Sequence, residues 1–485
     1  MPRRRRGSEQ VPLHLRYRHG GCRLLQKSAY CLENLVGSER RLGVGKRGSA
    51  LRLLRFPGVG QSGMTTSTSQ PNPVRASPVE MFAATNPDLE VWWDASPLVF
   101  ESWRAHVLRG SSPEHRDELA EQLRRLWDPG HPEAALLRGV TSNPLLSLAA
   151  IRDDPDRWVG WLRSYRETAP AASEEQIYWA LYKEIVRLGA AAFRPLYDLS
   201  GCLYGHISAL VDPRSSFDRD AMLSQALELA TLGENVMVEV PISRDGLAVL
   251  RELTRRGIPT NSGLAYTVSQ LVAAAEAVQA GLREARVAGV DLTGWRSVVG
   301  YLGVRWENES SFAQQGIEAG VPLSPEDRRW ASIAVFKEAC GIFRHRAYPS
   351  KMLLRSAHLG PAADGAGRCW PLQQMAGVGA VFTMHPEFLT HFLRDCCGAT
   401  FTSQIWESIP EEVMSRLRRV PYFMTGYSEV MTRLRRGPYF MSGYSADGLP
   451  IEAFDEMPAL VSTLREFAKA TEAIIGFVHG RLARD

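Results

Sequence analysis

The stretch that decides the fold is NVMVEVPISRDGLAVLRELTRRGIPTN, which occupies residues 235–261. Residues 235–240, NVMVEV, are mostly apolar, and a short apolar run is typical of a strand buried in a parallel sheet. A helical segment follows, and GIPTN at 257–261 predicts a second strand. Strand, helix and strand in this order predict a βαβ unit, in which a crossover helix joins two parallel strands.

The same alternation recurs along the chain from Leu89 onward. Candidate strands, each followed by a helical segment, lie at 89–94, 137–142, 203–211, 235–240, 257–261, 296–303, 351–357 and 379–383. Eight such units over roughly 300 residues match a single TIM-type barrel better than an open sheet. We therefore predict an α/β fold, a (β/α)8 TIM barrel, with an extra amphipathic C-terminal helix at about 453–482 that packs across the barrel exterior.

The chain begins with a basic segment. Residues 1–63 contain 14 Lys and Arg against 3 Asp and Glu, and residues 64–88 are rich in Ser, Thr, Pro and Asn, as linkers are. We predict a disordered basic leader and linker at 1–88 and the barrel at 89–485. Other interpretations of the leader stay open, namely an RNA-binding or targeting arm, or an upstream extension of a chain that naturally begins at Met64.

The composition of residues 64–485 limits the kinds of partner that the folded part of the chain is expected to bind. This body has 43 basic against 50 acidic residues, so nucleic acid is not an expected partner of the barrel. No apolar stretch approaches the roughly 18 residues of a membrane helix, and no signal peptide opens the chain, so we expect no membrane partner. The seven cysteines show no metal-binding spacing. We therefore expect no metal, reduced thiols and a cytoplasmic location, and we leave the oligomeric state open.

An internal repeat lies near the C-terminus. EVMSRLRRVPYFMTGYS (412–428) is followed directly by EVMTRLRRGPYFMSGYS (429–445). Two copies are too few for a solenoid. We interpret 412–445 as a duplicated insert that lengthens a loop or helix beside the barrel mouth. An arginine–aromatic surface for RNA is the alternative.

Polar residues gather where the predicted strands end. In a parallel barrel these ends form one face, and reactive side chains lie there. The candidates are Asp94, Thr141, Ser142, Asn143, Ser208, Glu239, Asn261, Arg305, Arg355 and His358. Acids, amides and arginines together suit a small-molecule substrate that is polyhydroxylated or phosphorylated.

Five ordered motifs between about 89 and 395 resemble those of the transaldolase family. They are VWWD (91–94), GVTSNP (139–144), HISALVDPR (206–214), VMVEVPISRDGL (236–247) and GIPTNSGLAYTVSQ (257–270). The resemblance implies a sugar-phosphate substrate, no cofactor, and an acid–base role for Asp94. It also implies substrate contacts by Thr141, Asn143, Ser208, Asn261 and Arg305, with a second phosphate-binding residue at Arg355 or His358.

Three positions depart from that family pattern. The family's Schiff-base lysine corresponds to Glu239, and a carboxylate cannot form an imine. Two further positions that help to hold a catalytic water in the family are Leu210 and Gly263. Of the six lysines, two lie in the leader, three in helical segments and one, Lys351, at the start of a strand. None is suited to imine chemistry, so we predict a diverged member that has lost it.

Glu239 leaves two functional hypotheses open. In the first, Glu239 and Asp94 carry out acid–base chemistry on a sugar-derived carbonyl compound. The arginine-rich and lysine-poor composition fits a high-GC bacterium, where this chemistry would be a step of natural-product biosynthesis. In the second, Glu239 pairs with Arg305 or a nearby arginine, because an unpaired buried acid is costly. The barrel would then be inactive and would bind a sugar phosphate or a partner protein. An ordinary transaldolase is the least favoured alternative.

Overall fold

The computed structural model describes residues 75–360, 367–427 and 449–482. The basic leader at 1–63, the first part of the predicted linker and the second repeat copy at 429–445 lie outside the described residues. The described residues belong to one unit, Pro71–Asp485.

Eight parallel strands close into a barrel, and each pairs with its neighbours in chain order. Their bounds are β1 Glu90–Trp93, β2 Leu137–Ser142, β3 His206–Leu210, β4 Val236–Pro241, β5 Thr260–Ala265, β6 Ser297–Tyr301, β7 Lys351–Leu354 and β8 Val381–Met384. Strand β1 pairs with β8 and completes the ring. The prediction of a (β/α)8 barrel from the sequence is therefore confirmed.

The helices surround the barrel. Their bounds are α1 Pro78–Ala83, α2 Phe100–Gly110, α3 Pro113–Leu126, α4 Pro144–Asp153, α5 Pro155–Thr168, α6 Glu174–Leu199, α7 Arg219–Ala230, α8 Arg244–Arg255, α9 Val268–Val287, α10 Arg305–Asn308, α11 Ser310–Glu318, α12 Pro325–Arg346, α13 Trp370–Met375, α14 Pro386–Asp395, α15 Glu411–Leu417, α16 Pro421–Tyr427 and α17 Pro458–Leu482. Helix α17 is the predicted C-terminal helix, and a 3-10 segment at Ile451–Glu456 precedes it.

Helix α1 corrects the predicted linker at 64–88. Ser77 and Glu80 form a capping box, in which each side chain accepts a hydrogen bond from the other residue's backbone N–H. Phe82 is fully buried and packs edge-on against Phe382 of β8 and against Phe401. The end of the predicted linker is therefore part of the folded body.

The lower part of the barrel interior is filled by an apolar plug. It consists of one inward side chain from each of five strands, namely Trp92, Met237, Val298, Leu353 and Val381. Below it, at the N-terminal ends of the strands, buried Glu90 pairs with Arg296 and with Lys351. Although burial raises the pKa of Glu90, these two cations outweigh that effect and lower it. Lys351 thus lies at the face opposite the mouth, as the sequence predicts.

Helix α17 covers part of the opposite end of the barrel. Its residues Leu460, Leu464 and Phe467, with Met457 just before it, belong to the same buried apolar cluster as Leu210, Leu264, Tyr266 and Leu302. These partners lie at the C-terminal ends of β3, β5 and β6 or directly after them. Leu210 therefore packs in an apolar cover, at a position where the family resemblance implies a water-holding side chain.

The cysteines depart from the expectation of reduced thiols. Cys369, directly before α13, and Cys396, directly after α14, form a disulfide with a Cα–Cα distance of 6.1 Å. Their spacing in sequence gives no sign of this, because the barrel brings the two helix ends together. Cys202, Cys340 and Cys397 are free. The cytoplasmic location stays a prediction.

None of the helices in the described ranges has both the length and the apolar character needed to cross a membrane. Within the same residues, no three His, Cys, Asp or Glu side chains gather into a group that could hold a metal ion.

Candidate active site

A polar layer lies above the apolar plug, at the C-terminal ends of the strands. Strand register places Glu239 of β4 between Leu210 of β3 and Asn261 of β5. Only 1% of the Glu239 side chain is exposed. A carboxylate with so little solvent needs partners within the protein.

Glu239 has three partners in the barrel interior. Its Oε1 lies 2.7 Å from Nη2 of Arg355, which follows β7 and whose side chain is 6% exposed. Its Oε2 accepts hydrogen bonds from Ser208 Oγ at 3.0 Å and from Asn261 Nδ2 at 3.3 Å. Asn261 Nδ2 also donates to Ser208 Oγ at 2.8 Å. Glu239 is thus a carboxyl with partners on both of its oxygens, and its arginine is Arg355 rather than Arg305.

The ion pair spans the barrel interior. Arg355 follows β7 and Glu239 lies on β4, and β5 and β6 separate these two strands in the closed ring. Between β7 and Glu239, the Arg355 side chain packs against Gly300 of β6. At the level of the expected Schiff-base lysine, the interior is therefore crossed by a salt bridge.

Asp94 has its own set of partners. Its Oδ1 accepts a hydrogen bond of 2.5 Å from Thr141, and its Oδ2 accepts bonds of 3.0 Å from Ser356 and from Thr383. Asp94 is buried, with 7% exposure. Three hydroxyl donors satisfy both of its oxygens. Among the described residues, no side chain bonds to both Asp94 and Glu239.

Two residues predicted to bind phosphate have acidic partners. Arg305, at the start of α10, pairs with Glu466 of α17. Glu307 of the same helix instead binds Arg329 and accepts a bond of 2.9 Å from His358 Nε2. His358 Nδ1 also lies 2.9 Å from the Ser356 carbonyl oxygen.

The environment of Glu307 keeps it ionised. Burial raises the pKa of this carboxyl, but His358 and Arg329 outweigh that effect and lower it. The contacts of His358 are those of a rim residue held by its neighbours.

The second strand supplies one helix cap and one unpartnered hydroxyl. Asn143 Oδ1 accepts from the backbone N–H of Leu146 at 2.9 Å and caps α4, which accounts structurally for its place before Pro144. Ser142 Oγ is buried and has no hydrogen-bond partner among the residues that the structure describes, and the same holds for Asn261 Oδ1. Buried polar atoms without protein partners commonly bond to water or to a ligand.

The structure therefore divides the predicted site residues. It brings Glu239, Ser208, Asn261 and Arg355 into one network, and Asp94 and Thr141 into a second. Arg305 lies in a separate ion pair with Glu466, and His358 contacts Glu307 at 2.9 Å. Sequence reasoning did not identify Ser356, Thr383 or Glu466, although Thr383 is the polar residue of an apolar strand and could have been found from that pattern.

Comparison with known sequences identifies the family. The sequence profile of the Transaldolase/Fructose-6-phosphate aldolase family matches residues 131–422, which is more than half of the chain. The chain belongs to this transaldolase family. Its matched region contains β2 to β8, whereas Asp94 and α17 lie outside it.

Curated relatives are named transaldolase. Transaldolase 1 from Streptomyces avermitilis is 32% identical over 174 residues, which cover 35% of this chain and 45% of that protein. A transaldolase from Thermobifida fusca is 30% identical over 173 residues, with coverages of 35% and 46%. One from Thiobacillus denitrificans is 31% identical over 156 residues, with coverages of 32% and 43%. The matched part of the chain thus spans less than half of the length of these relatives.

The lysines of this transaldolase-family chain lie away from Glu239 wherever the structure describes them. Lys183 pairs with Glu228 on the outer helices, and Lys469 is exposed on α17. Lys337 donates to the carbonyl oxygens of Gln404 at 2.8 Å and Glu407 at 2.9 Å. Lys351 lies at the N-terminal face. No described lysine is placed to form an imine with a ligand in the mouth.

Proposed function

We propose that this chain is a transaldolase-family barrel that binds a small polyhydroxylated or phosphorylated ligand without forming a Schiff base. The observation that carries the proposal is the buried ion pair between Glu239 and Arg355. A glutamate cannot attack a carbonyl to give an imine, and here it is also held by a permanently charged guanidinium. Aldol cleavage through an iminium has no nucleophile in this site.

The polar layer supports ligand binding. Asp94, Thr141, Ser356 and Thr383 form a compact group of oxygens at the mouth, where TIM barrels bind their substrates. The buried oxygens of Ser142 and Asn261 have no protein partner and offer hydrogen bonds to hydroxyl groups of a ligand. Such groups suit a sugar-derived molecule better than an apolar one.

Acid–base catalysis by Glu239 and Asp94 is the competing proposal. A general base must reach the proton that it takes up, and the oxygens of Glu239 already contact Arg355, Ser208 and Asn261. The two carboxylates also have separate partners, so they do not act on one shared proton. The observed contacts therefore favour binding over acid–base chemistry.

Calorimetry with fructose 6-phosphate, combined with an assay for transfer of its three-carbon ketol unit to erythrose 4-phosphate, tests the proposal. We expect saturable binding, weakened by Asp94→Ala, and no transfer. The exposed substitution Asp198→Ala is the matched control and should leave binding unchanged, since its carboxylate lies on the outer helix α6. Absence of binding would refute the binding role, and measurable transfer would refute the loss of aldol chemistry.

A further inference from the structure

Two glycines line the buried ion pair. A Cβ atom added at Gly263 of β5 would lie 2.9 Å from Cγ and 3.0 Å from Cδ of Glu239, and closer still to its Oε1. A Cβ atom added at Gly300 of β6 would lie 2.5 Å from Nε and 3.3 Å from Cζ of Arg355. Packed side chains do not approach this closely, so any other residue at either position would displace the pair.

A left-handed backbone conformation does not account for these glycines. Neither Gly263 nor Gly300 has a positive φ, in contrast to Gly257 with φ of 73°. Glycine in a strand interior also weakens the strand, because it gains no packing and loses more backbone freedom on folding. The register of β5 against β6 is irregular between Ser262 and Ala265, so Gly263 lies in a bulge as well as against Glu239. β6 is regular at Gly300, where the close approach of Arg355 is the feature that the glycine accommodates.

The two side chains cannot simply move aside. Glu239 is held by Ser208 and Asn261 as well as by Arg355, and both charged side chains are almost entirely buried. Moving either one would break the salt bridge and leave a buried charge without its partner. Such a loss is strongly destabilising.

We propose that Gly263 and Gly300 are positioning residues that make room for the Glu239–Arg355 ion pair, so that the four positions form one co-adapted unit. The inference deepens the proposed function, because that pair stands where imine chemistry would need a lysine. It also explains why a threonine, which the family resemblance places at position 263, is absent here. Its Cβ would occupy the space that the Glu239 carboxylate takes.

It follows that a single substitution, Glu239→Lys, would not restore imine chemistry to this barrel. Glu239→Lys alone would place two buried cations side by side, with Arg355 between the new amine and the carbonyl carbon that it must reach. Loss of the Arg355 side chain is needed as well. The four positions therefore act together in excluding aldol chemistry.

A stability cycle without any ligand tests the proposal. Gly263→Ala and Gly300→Ala are each made in the natural chain and in a chain carrying Glu239→Ala and Arg355→Ala. Urea unfolding should show each alanine lowering the folding equilibrium constant about tenfold or more in the natural chain, and not measurably in the second background. Gly139→Ala is the matched control, since its Cβ would meet Trp92 and its cost should be equal in both backgrounds.

If Gly263→Ala lowers the folding equilibrium constant by the same factor in both backgrounds, the proposal is overturned. A variant that folds only in the second background supports it, and one that folds in neither overturns it. If the doubly substituted background does not fold, Glu239→Ala alone is the background in which Gly263→Ala is measured. Arg355→Ala alone is then the background for Gly300→Ala. The cycle measures stability only. The role of the two glycines can therefore be refuted while ligand binding is confirmed, and ligand binding can be refuted while the role of the glycines is confirmed.

Discussion

Arg355 crosses the barrel interior to Glu239, with Nη2 2.7 Å from Oε1, although β5 and β6 separate their strands. The contact places a salt bridge in the barrel interior, at the position where imine chemistry would need a lysine. Its energetic role follows from burial. Two desolvated charges stabilise each other only while both are present.

Removing one charge should therefore cost more than removing both. Arg355→Met leaves Glu239 buried without a counter-charge and should lower the free energy of unfolding by about 3–5 kcal/mol. The double variant Glu239→Met/Arg355→Met should be more stable than Arg355→Met. Chemical denaturation followed by circular dichroism measures both, and a double variant less stable than Arg355→Met would contradict this prediction.

The exposed ion pair of Arg305 with Glu466 tests whether burial determines how much an ion pair contributes to stability. Its side chains are 24% and 49% exposed, so solvent screens the interaction. Arg305→Ala should cost about 1 kcal/mol or less. A cost equal to that of Arg355→Met would show that burial does not govern these pairs.

His206 gives the barrel a dependence on pH. Burial, with a further contribution from Arg296, lowers the pKa of this histidine to about 3. In the unfolded chain its pKa is about 6.5, so the unfolded state binds the extra proton between pH 6.5 and 3. Stability therefore falls as the pH falls through this window, and the contribution is fully present above pH 6.5.

The window from pH 6.5 to 4.5 favours this effect, because carboxyls with a lowered pKa, such as Glu90 and Glu307, lose their stabilising contribution mainly below it. Over these two pH units the natural chain should lose about 2–3 kcal/mol of stability to His206. His206→Asn, which does not titrate, should lose correspondingly less. Thermal melts at matched ionic strength measure the difference, and parallel profiles for the two chains would contradict it.

Much of the fold could be predicted because each strand is an apolar run between helical segments. β2 has the predicted bounds, and β5 is displaced for a physical reason. GIPTN predicts a strand from Gly257, but Gly257 takes a left-handed φ of 73° and forms a turn, so the strand begins at Thr260. Helix α1 was missed because the Ser, Thr and Pro content of 64–88 outweighed the capping box at Ser77.

The sequence predicts most of the residues of the candidate site, but it does not predict which of them bond to each other. The ends of the predicted strands already point to Ser208, Glu239 and Asn261, whereas the register, which pairs Glu239 with Leu210 and Asn261, comes from the structure. The partner of Glu239 depends on barrel closure, which brings β7 opposite β4. Glu466 lies on the last helix, 161 residues from Arg305, and no local pattern connects the two.

The repeat supplies a test of what its first copy does. In that copy Leu417, Val420 and Phe423 are fully buried, and Arg416 bonds to Asp327 of α12. Because these contacts come from the first copy, deletion of 429–445 should leave the unfolding midpoint nearly unchanged. Phe423→Ala in the shortened chain should cost about 3–5 kcal/mol. Differential scanning calorimetry measures both, and a shortened chain that fails to fold would contradict the prediction.

The absence of an imine is tested most directly by borohydride trapping. The full-length chain is incubated with fructose 6-phosphate and sodium borohydride and examined by intact mass spectrometry, beside Glu239→Lys/Arg355→Ala as the chain in which a lysine is restored with space around it. We predict no added mass on the natural chain and an adduct on the restored one. A substrate-derived adduct on a lysine of the natural chain would contradict the account.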